Sequence, residues 1–145
     1  MSSIEQAEPY IYSLIGSLVV LLLTIIPIGF ARYSQKFSLK YLEEPRLLSF
    51  QYKSWGRRAV WAHENSFEAF IIHVPALLLA LLITFKGSAL PQVSSDFACL
   101  HPFFRLLYII TYLINRPILR SFFWGAGLIS SLIIYFTSVM IYLSH

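Results

Sequence analysis

Cysteine and charge are both scarce in this chain of 145 residues, which has one cysteine and only 12% charged residues. The lone cysteine, Cys99, excludes an intramolecular disulfide, and its apolar neighbours indicate a small hydrophobic side chain. Charged residues make up about a quarter of a typical soluble domain. Apolar residues make up 57% here and the mean hydropathy is +0.67, more than so short a chain could bury away from water. The composition therefore excludes an ordinary soluble domain and favours lipid as the solvent.

Clusters of metal-binding residues are also lacking. His73 lies close to Pro75 in the middle of a long apolar run, and no second histidine or cysteine is placed to share a metal with it. We therefore interpret His73 as an interhelical hydrogen-bond donor and predict no metal site.

Positive charge, by contrast, is concentrated in one part of the chain. The net charge is +4, and seven of the eleven lysines and arginines lie between the first and second apolar runs. Lysine and arginine gather in this way in the cytoplasmic loops of membrane proteins, so we expect no nucleic-acid partner. The connection 32–57 and the turn with Arg116 and Arg120 should face the cytoplasm, with both termini and segment 86–97 on the opposite side.

Four apolar runs are long enough to be transmembrane helices, because about 20 helical residues cross about 30 Å of hydrocarbon. No cleavage pattern precedes the first run, so we expect it to be retained rather than removed as a signal peptide. The chain is predicted to be a single domain, 1–145, of the all-α membrane class, with four transmembrane helices in a bundle. The predicted helices cover residues 10–31, 58–85, 98–115 and 118–143.

The connections between these runs differ in character. Pro27 should bend the end of the first helix, and the connection 32–57 should contain an amphipathic interfacial segment at 37–50. Segment 86–97 contains glycine, proline and serine and predicts a turn. The connection Asn115–Pro117 is very short, which makes the third and fourth helices antiparallel neighbours.

Ionisable and polar residues within the apolar runs form three sets toward one end of the bundle. Such residues are costly in lipid and usually face a bundle interior. On the second helix, one stripe carries a cation, an amide and a carboxylate at helical spacing. The sets on the second, third and fourth helices are Arg58, Trp61, Asn65, Glu68 and Ile72; His101, Arg105, Tyr108 and Tyr112; and Arg116, Arg120, Ser121 and Trp124.

The first two sets each have a structural and a functional explanation. Glu64 suits a solvated first turn, whereas Glu68 is followed at once by an apolar run, which favours a buried functional role for Asn65 and Glu68. Arg105 needs a buried anion, and Glu68 is the obvious candidate. Whether such a pair is structural or catalytic is left open by the sequence.

The arginines of the third set oppose the dipole of their own helix. Arg116 and Arg120 lie at its N-terminus, where the dipole prefers anions. This mismatch indicates that they hold an anion together with free backbone N–H groups. The other explanation is an anchor that follows the positive-inside bias.

Two blocks of these residues resemble the MAPEG family, the membrane-associated proteins in eicosanoid and glutathione metabolism. The first block, AHENSFE at 62–68, is similar to the family's R-A-H-x-N-x-x-E pattern. The resemblance covers the order of all four helices, and it implies a homotrimer with sites between neighbouring subunits at the cytoplasmic end. The second block contains Arg105, Tyr108, Tyr112, Pro117, Arg120 and Ser121.

The resemblance implies glutathione as the cofactor. Arg120 would stand next to its thiol, with Ser121 as a hydrogen-bond donor, and these two are the candidate catalytic residues. Glu68 would bind the amino group of the ligand and Tyr112 its peptide part. The candidate cofactor-binding residues are Asn65, Glu68, Arg105, Tyr108, Tyr112 and Arg58.

Four positions depart from the pattern of the family's prostaglandin synthases, and at one of them Tyr108 stands where a histidine is expected. Trp61 and Glu64 stand where arginines are expected, and Trp124 stands where a tyrosine contacts the ligand. The loss of two cations would weaken the hold on an anionic tripeptide. The arginines that could replace them are Arg57, Arg58 and Arg32 of a neighbouring subunit.

Two functions are therefore considered. A glutathione-dependent transferase or peroxidase would act on lipophilic electrophiles that enter from the membrane. The alternative is a non-catalytic membrane protein that binds lipid or serves as a scaffold while it retains the fold. The pair Asn65 and Glu68 together with the pair Arg120 and Ser121 favours the first function. The second function is favoured by Trp61, Glu64 and Trp124. A transporter or channel is less favoured because the helices lack a continuous polar path.

Overall fold

The computed structural model describes residues 3–34 and 51–144, which are helical apart from short turns. The predicted all-α bundle of four transmembrane helices is confirmed, because four stretches are long and apolar enough to cross a membrane. The chain is thus an integral, multi-pass membrane protein. The predicted interfacial segment at 37–50 lies outside the described residues. The helices are α1 (Ser3–Leu23), α2 (Ile25–Tyr33), α3 (Ser54–Phe85), α4 (Gln92–Leu113) and α5 (Pro117–Leu143).

The first span is interrupted between α1 and α2. Pro27 has no backbone N–H, so the carbonyl of Leu23 receives no helical hydrogen bond. The helix breaks next to it at Thr24, whose backbone N–H bonds the carbonyl of Leu21 at 3.1 Å. The predicted bend near Pro27 is therefore present, and it lies at Thr24.

The turns after α3 and α4 each contain one residue in the left-handed backbone conformation. Gly87 has a φ of 91° and Asn115 a φ of 59°, the left-handed conformation that glycine and asparagine adopt at low cost at helix ends. The N–H of Gly87 bonds the carbonyl of Thr84 at 3.0 Å, and that of Asn115 bonds Tyr112 at 3.2 Å. α4 then begins at Gln92, so the turn before it is shorter than predicted.

Side-chain contacts give the direction of each helix. The first span runs antiparallel to α3 and parallel to α4, and α5 runs antiparallel to α4, as the short connection predicted. The start of α3 and the α4–α5 turn therefore lie at the same end of the bundle. The contacts that show this join Ser13 to His73, Thr24 to His63, Ser17 to His101, Thr137 to Ser94 and Arg120 to Tyr112.

Small and polar side chains fill much of the interior, whereas large aliphatic side chains cover the outside. Small residues let helix backbones approach closely in a membrane protein. At Gly56 of α3, a Cβ atom would lie 2.9 Å from the Cβ atoms of both Ala31 and Tyr52. This crossing therefore requires glycine, and it fixes α2 against the start of α3.

Candidate functional site

An open cavity of about 510 Å³, here called the outer cavity, lies between α3, α4 and α5 near the α4–α5 turn. It brings together both candidate catalytic residues and three of the candidate cofactor-binding residues. Its lining residues are Asn65, Tyr108, Tyr112, Arg120, Ser121, Trp124 and Gly125.

Helical spacing explains why these side chains meet. Tyr108 and Tyr112 are four residues apart on α4, and Arg120 and Trp124 are four apart on α5, so each pair shares one helix face. The tight turn at Asn115 then folds the two faces against each other. The two tyrosine rings pack edge to face, with centroids 5.5 Å apart.

Arg120 presents its positive charge to the outer cavity and has no carboxylate partner in the described part of the chain. Its guanidinium lies over the Tyr112 ring, 4.6 Å from the centroid. Among residues 3–34 and 51–144, no carboxylate lies within 4.0 Å of it. A ring face attracts a cation by only about 0.5–1 kcal/mol at an exposed site, so the charge remains available to an anionic ligand.

A smaller cavity of about 50 Å³, here called the inner cavity, lies next to the outer one and shares Asn65 and Trp124 with it. Glu68 and Arg105 line this inner cavity and are absent from the lining of the outer cavity. Two candidate cofactor-binding residues therefore line a different cavity from the one that Arg120 and Ser121 line. The other lining residues are Ala69, Ile72, His101, Gly127, Leu128 and Ser131.

The predicted ion pair between Arg105 and Glu68 is wrong. Arg105 is buried, but its Nη2 donates to the backbone carbonyl of Asn65 at 3.1 Å and to the Ser66 hydroxyl at 3.3 Å. Its guanidinium stacks on the Tyr108 ring, 4.3 Å from the centroid. The α3 backbone faces α4 at this level, whereas the Glu68 side chain is exposed, so a carbonyl takes the place of the expected carboxylate.

Comparison with protein families gives a match to the model of the MAPEG family over residues 10–140. The chain belongs to the MAPEG family. The match runs from α1 to the last turns of α5 and confirms the resemblance seen in the sequence. Neither the curated proteins nor the solved structures give a significant match.

In this MAPEG protein, Arg58 is placed apart from the other candidates. Its Nε donates to the carbonyl of Leu113 at 3.2 Å. Leu113 is the last residue of α4, where carbonyls lack helical partners and a cation suits the dipole. Arg58 thus joins α3 to the end of α4 and does not line the outer cavity.

Two histidines stack in the bundle interior, with ring centroids 3.4 Å apart and planes 10° apart. His73 contacts Ser13 through Nε2 and Ser131 through Nδ1, both at 2.9 Å. His101 contacts Ser17 through Nδ1 at 3.1 Å. The predicted interhelical hydrogen bonding of His73 is confirmed.

The histidine stack itself was not predicted, because the two rings come from different helices and no local spacing links them. A usable indication was present on α1. Ser13 and Ser17 are four residues apart in an apolar run, so they share one face. Hydroxyl groups on one face of a membrane helix indicate polar partners on the facing helices.

Proposed function

We propose that this MAPEG protein is a glutathione-dependent transferase or peroxidase that acts on lipophilic electrophiles. Members of the family generally use glutathione. The observation that carries the proposal is the outer cavity, which is lined by the Arg120 guanidinium and the Ser121 side chain. No carboxylate of the described residues lies within 4.0 Å of that guanidinium.

The outer cavity suits a ligand of this kind in size and chemistry. Its volume of about 510 Å³ falls within the roughly 300–1,000 Å³ of small-molecule sites. Arg120 offers a cation, and the side chains of Asn65 and Tyr112 offer further hydrogen-bonding groups. Trp124, 44% exposed, adds apolar surface against which a lipophilic substrate would lie.

Arg120 and Ser121 would act by stabilising a thiolate. A thiol with a pKa of about 8.5 is only a few per cent ionised at neutral pH, and the thiolate is the nucleophile. Lowering that pKa by about two units requires about 2.7 kcal/mol of differential stabilisation. A partly desolvated arginine together with a hydroxyl donor supports a shift of this size. Tyr112 would hold the Arg120 guanidinium in place.

The same proposal includes an orientation and an assembly. Arg32 at the end of α2, Arg57 at the start of α3 and the arginines of the α4–α5 turn lie at the end that carries the outer cavity, so this end would face the cytoplasm. The cavity is open on one side. In a homotrimer, which the family implies, a neighbouring subunit would cover that side while the apolar outer surface contacts lipid.

The experiment is a glutathione titration of the purified protein in detergent, followed by the ultraviolet absorbance of the thiolate. We expect thiolate formation with the unmodified protein, and Arg120→Ala should lose it. Arg116→Ala is the matched control, because Arg116 is exposed in the same turn and does not line the outer cavity. If the unmodified protein gives no thiolate absorbance, the glutathione function is rejected.

A second candidate function, lipid binding without catalysis, is favoured by the exposed tryptophans. Trp61 and Trp124 are 47% and 44% exposed, and both depart from the family pattern. A ligand that binds the folded state raises its thermal stability. Stabilisation by added lipid, with none by glutathione, would support this second function.

A further inference from the structure

Three exposed cations lie close together where α2 crosses the start of α3. At this crossing Ala31 of α2 faces Gly56 of α3, since a Cβ atom at Gly56 would lie 2.9 Å from the Cβ of Ala31. Arg32 directly follows Ala31, and Arg57 directly follows Gly56. Lys53 is the N-cap residue of α3, and its carbonyl accepts the backbone N–H of Arg57 at 3.1 Å. Arg32, Lys53 and Arg57 are here called the basic corner.

No acidic side chain of the described residues pairs with the basic corner. Residues 3–34 and 51–144 place no carboxylate within 4.0 Å of its three cations. α2 has no acidic residue, and the first one on α3 is Glu64, seven residues after Arg57. Seven helical residues span about 10 Å, more than the Debye length of about 8 Å at physiological salt. The described part of the chain therefore leaves the charge of the basic corner to an external anion.

An apolar strip on the outward face of α2 leads directly to this charge. Ile25, Ile26 and Phe30 are each more than half exposed. Arg32 and the almost fully exposed Tyr33 follow them in the last turn of α2. Tyrosine is enriched at the boundary between hydrocarbon and water. The basic corner therefore lies at the level of the lipid headgroups, next to a surface that suits acyl chains.

We propose that the basic corner binds the headgroup of an anionic phospholipid, whose acyl chains lie along the outward face of α2. Guanidinium groups form charge-assisted hydrogen bonds with phosphate oxygens, and three cations favour a headgroup with a net negative charge. An acidic peptide or a nucleotide would pair with the cations but leave the apolar strip uncovered. The inference is independent of the glutathione function, because none of the three residues lines the outer cavity.

The experiment compares two lipids that differ only in their headgroups. Dioleoyl phosphatidylglycerol is anionic and dioleoyl phosphatidylcholine is zwitterionic, and native mass spectrometry of the protein in detergent measures the dissociation constant of each. We expect the unmodified protein to prefer phosphatidylglycerol. Arg57→Gln should weaken the binding of phosphatidylglycerol by about five-fold, the ratio expected for one basic residue near an anionic surface. It should leave phosphatidylcholine binding unchanged. Equal affinities for the two lipids in the unmodified protein would overturn the proposal.

Two control variants test whether the preference belongs to the basic corner. Arg57→Lys keeps the charge and should keep most of the preference. Arg116→Gln removes an exposed arginine at the same end of the bundle, but from the α4–α5 turn, and it should keep the full preference. A loss in Arg116→Gln as large as that in Arg57→Gln would assign the attraction to the overall charge of this end and contradict the proposal.

Two further measurements separate the headgroup from the acyl chains. Phe30→Gln makes the apolar strip polar, so it should weaken the binding of both lipids alike. Unchanged affinities in this variant would contradict the placement of the chains on α2. Inorganic phosphate in excess should not displace phosphatidylglycerol. Displacement by phosphate would show a site for the free ion and contradict the assignment to a lipid.

Discussion

The buried histidine cluster and the outer cavity are both polar, yet their polar side chains differ in whether they have partners within the chain. In the cluster, both ring nitrogens of His73 have serine partners within the same chain. In the outer cavity, the Arg120 guanidinium contacts a ring face and no carboxylate of the described residues. The cluster consists of His73, His101, Ser13, Ser17 and Ser131.

This difference distinguishes polar residues that stabilise the helix bundle from polar residues that can bind a ligand. Polar groups that satisfy each other hold helices together, because an unpaired polar group is costly in lipid. Polar groups that converge on an open space are available to a ligand. The inner cavity lies between the two regions, since it takes His101 from the cluster and shares Asn65 with the outer cavity.

The largest expected effect is on stability, at His73. His73→Ala removes a fully buried ring and leaves the hydroxyls of Ser13 and Ser131 without that partner. A new cavity and unpaired polar groups together should lower the free energy of unfolding by about 3–5 kcal/mol. Thermal unfolding in detergent measures this loss.

The control for His73 lies two residues away on the same helix. Ile71 is 55% exposed on the outer surface, so Ile71→Ala should change the unfolding temperature little. Equal losses in both variants would mean that the histidine cluster contributes no more to stability than a lipid-facing side chain does.

An intermediate effect is expected at Arg58, which the sequence assigned to the ligand site and the structure places at the end of α4. Arg58→Ala removes the hydrogen bond to the Leu113 carbonyl and should cost about 1 kcal/mol of stability. Glutathione affinity should change by no more than about two-fold, because the Arg58 side chain already bonds the Leu113 carbonyl and therefore has a structural role that needs no ligand. If Arg58→Ala lowers glutathione affinity more than this while stability is unchanged, Arg58 contacts the ligand after all.

The fold was predictable from the sequence because apolar run length, the position of proline and the length of a turn are local properties. The four spans, the break near Pro27 and the short turn at Asn115 all follow from residues close together in the chain. The start of α4 was placed too late, since polar residues such as Ser94 and Asp96 continue the helix. Their side chains do not interrupt it, and Pro91 precedes it as its N-cap residue.

The pairing of polar groups was less predictable, because it depends on how helices are rotated against each other. Helical spacing correctly grouped Tyr108 and Tyr112, and it grouped Arg120 with Trp124. It could not show that Arg105 reaches a backbone carbonyl of α3 rather than the Glu68 carboxylate. A sequence pattern shows which side chains could pair, but it does not show which backbone carbonyls are close enough to accept the same hydrogen bonds.

The smallest effect should appear at Tyr112, which distinguishes positioning from direct contact. Tyr112→Leu removes the ring under the Arg120 guanidinium, an interaction worth about 0.5–1 kcal/mol at an exposed site. Glutathione affinity should fall by roughly two- to five-fold, which is this energy expressed as a ratio. Tyr112→Phe keeps the ring, so an unchanged affinity in this variant assigns the effect to positioning of Arg120. An equal loss in both variants would instead show that the Tyr112 hydroxyl contacts the ligand itself.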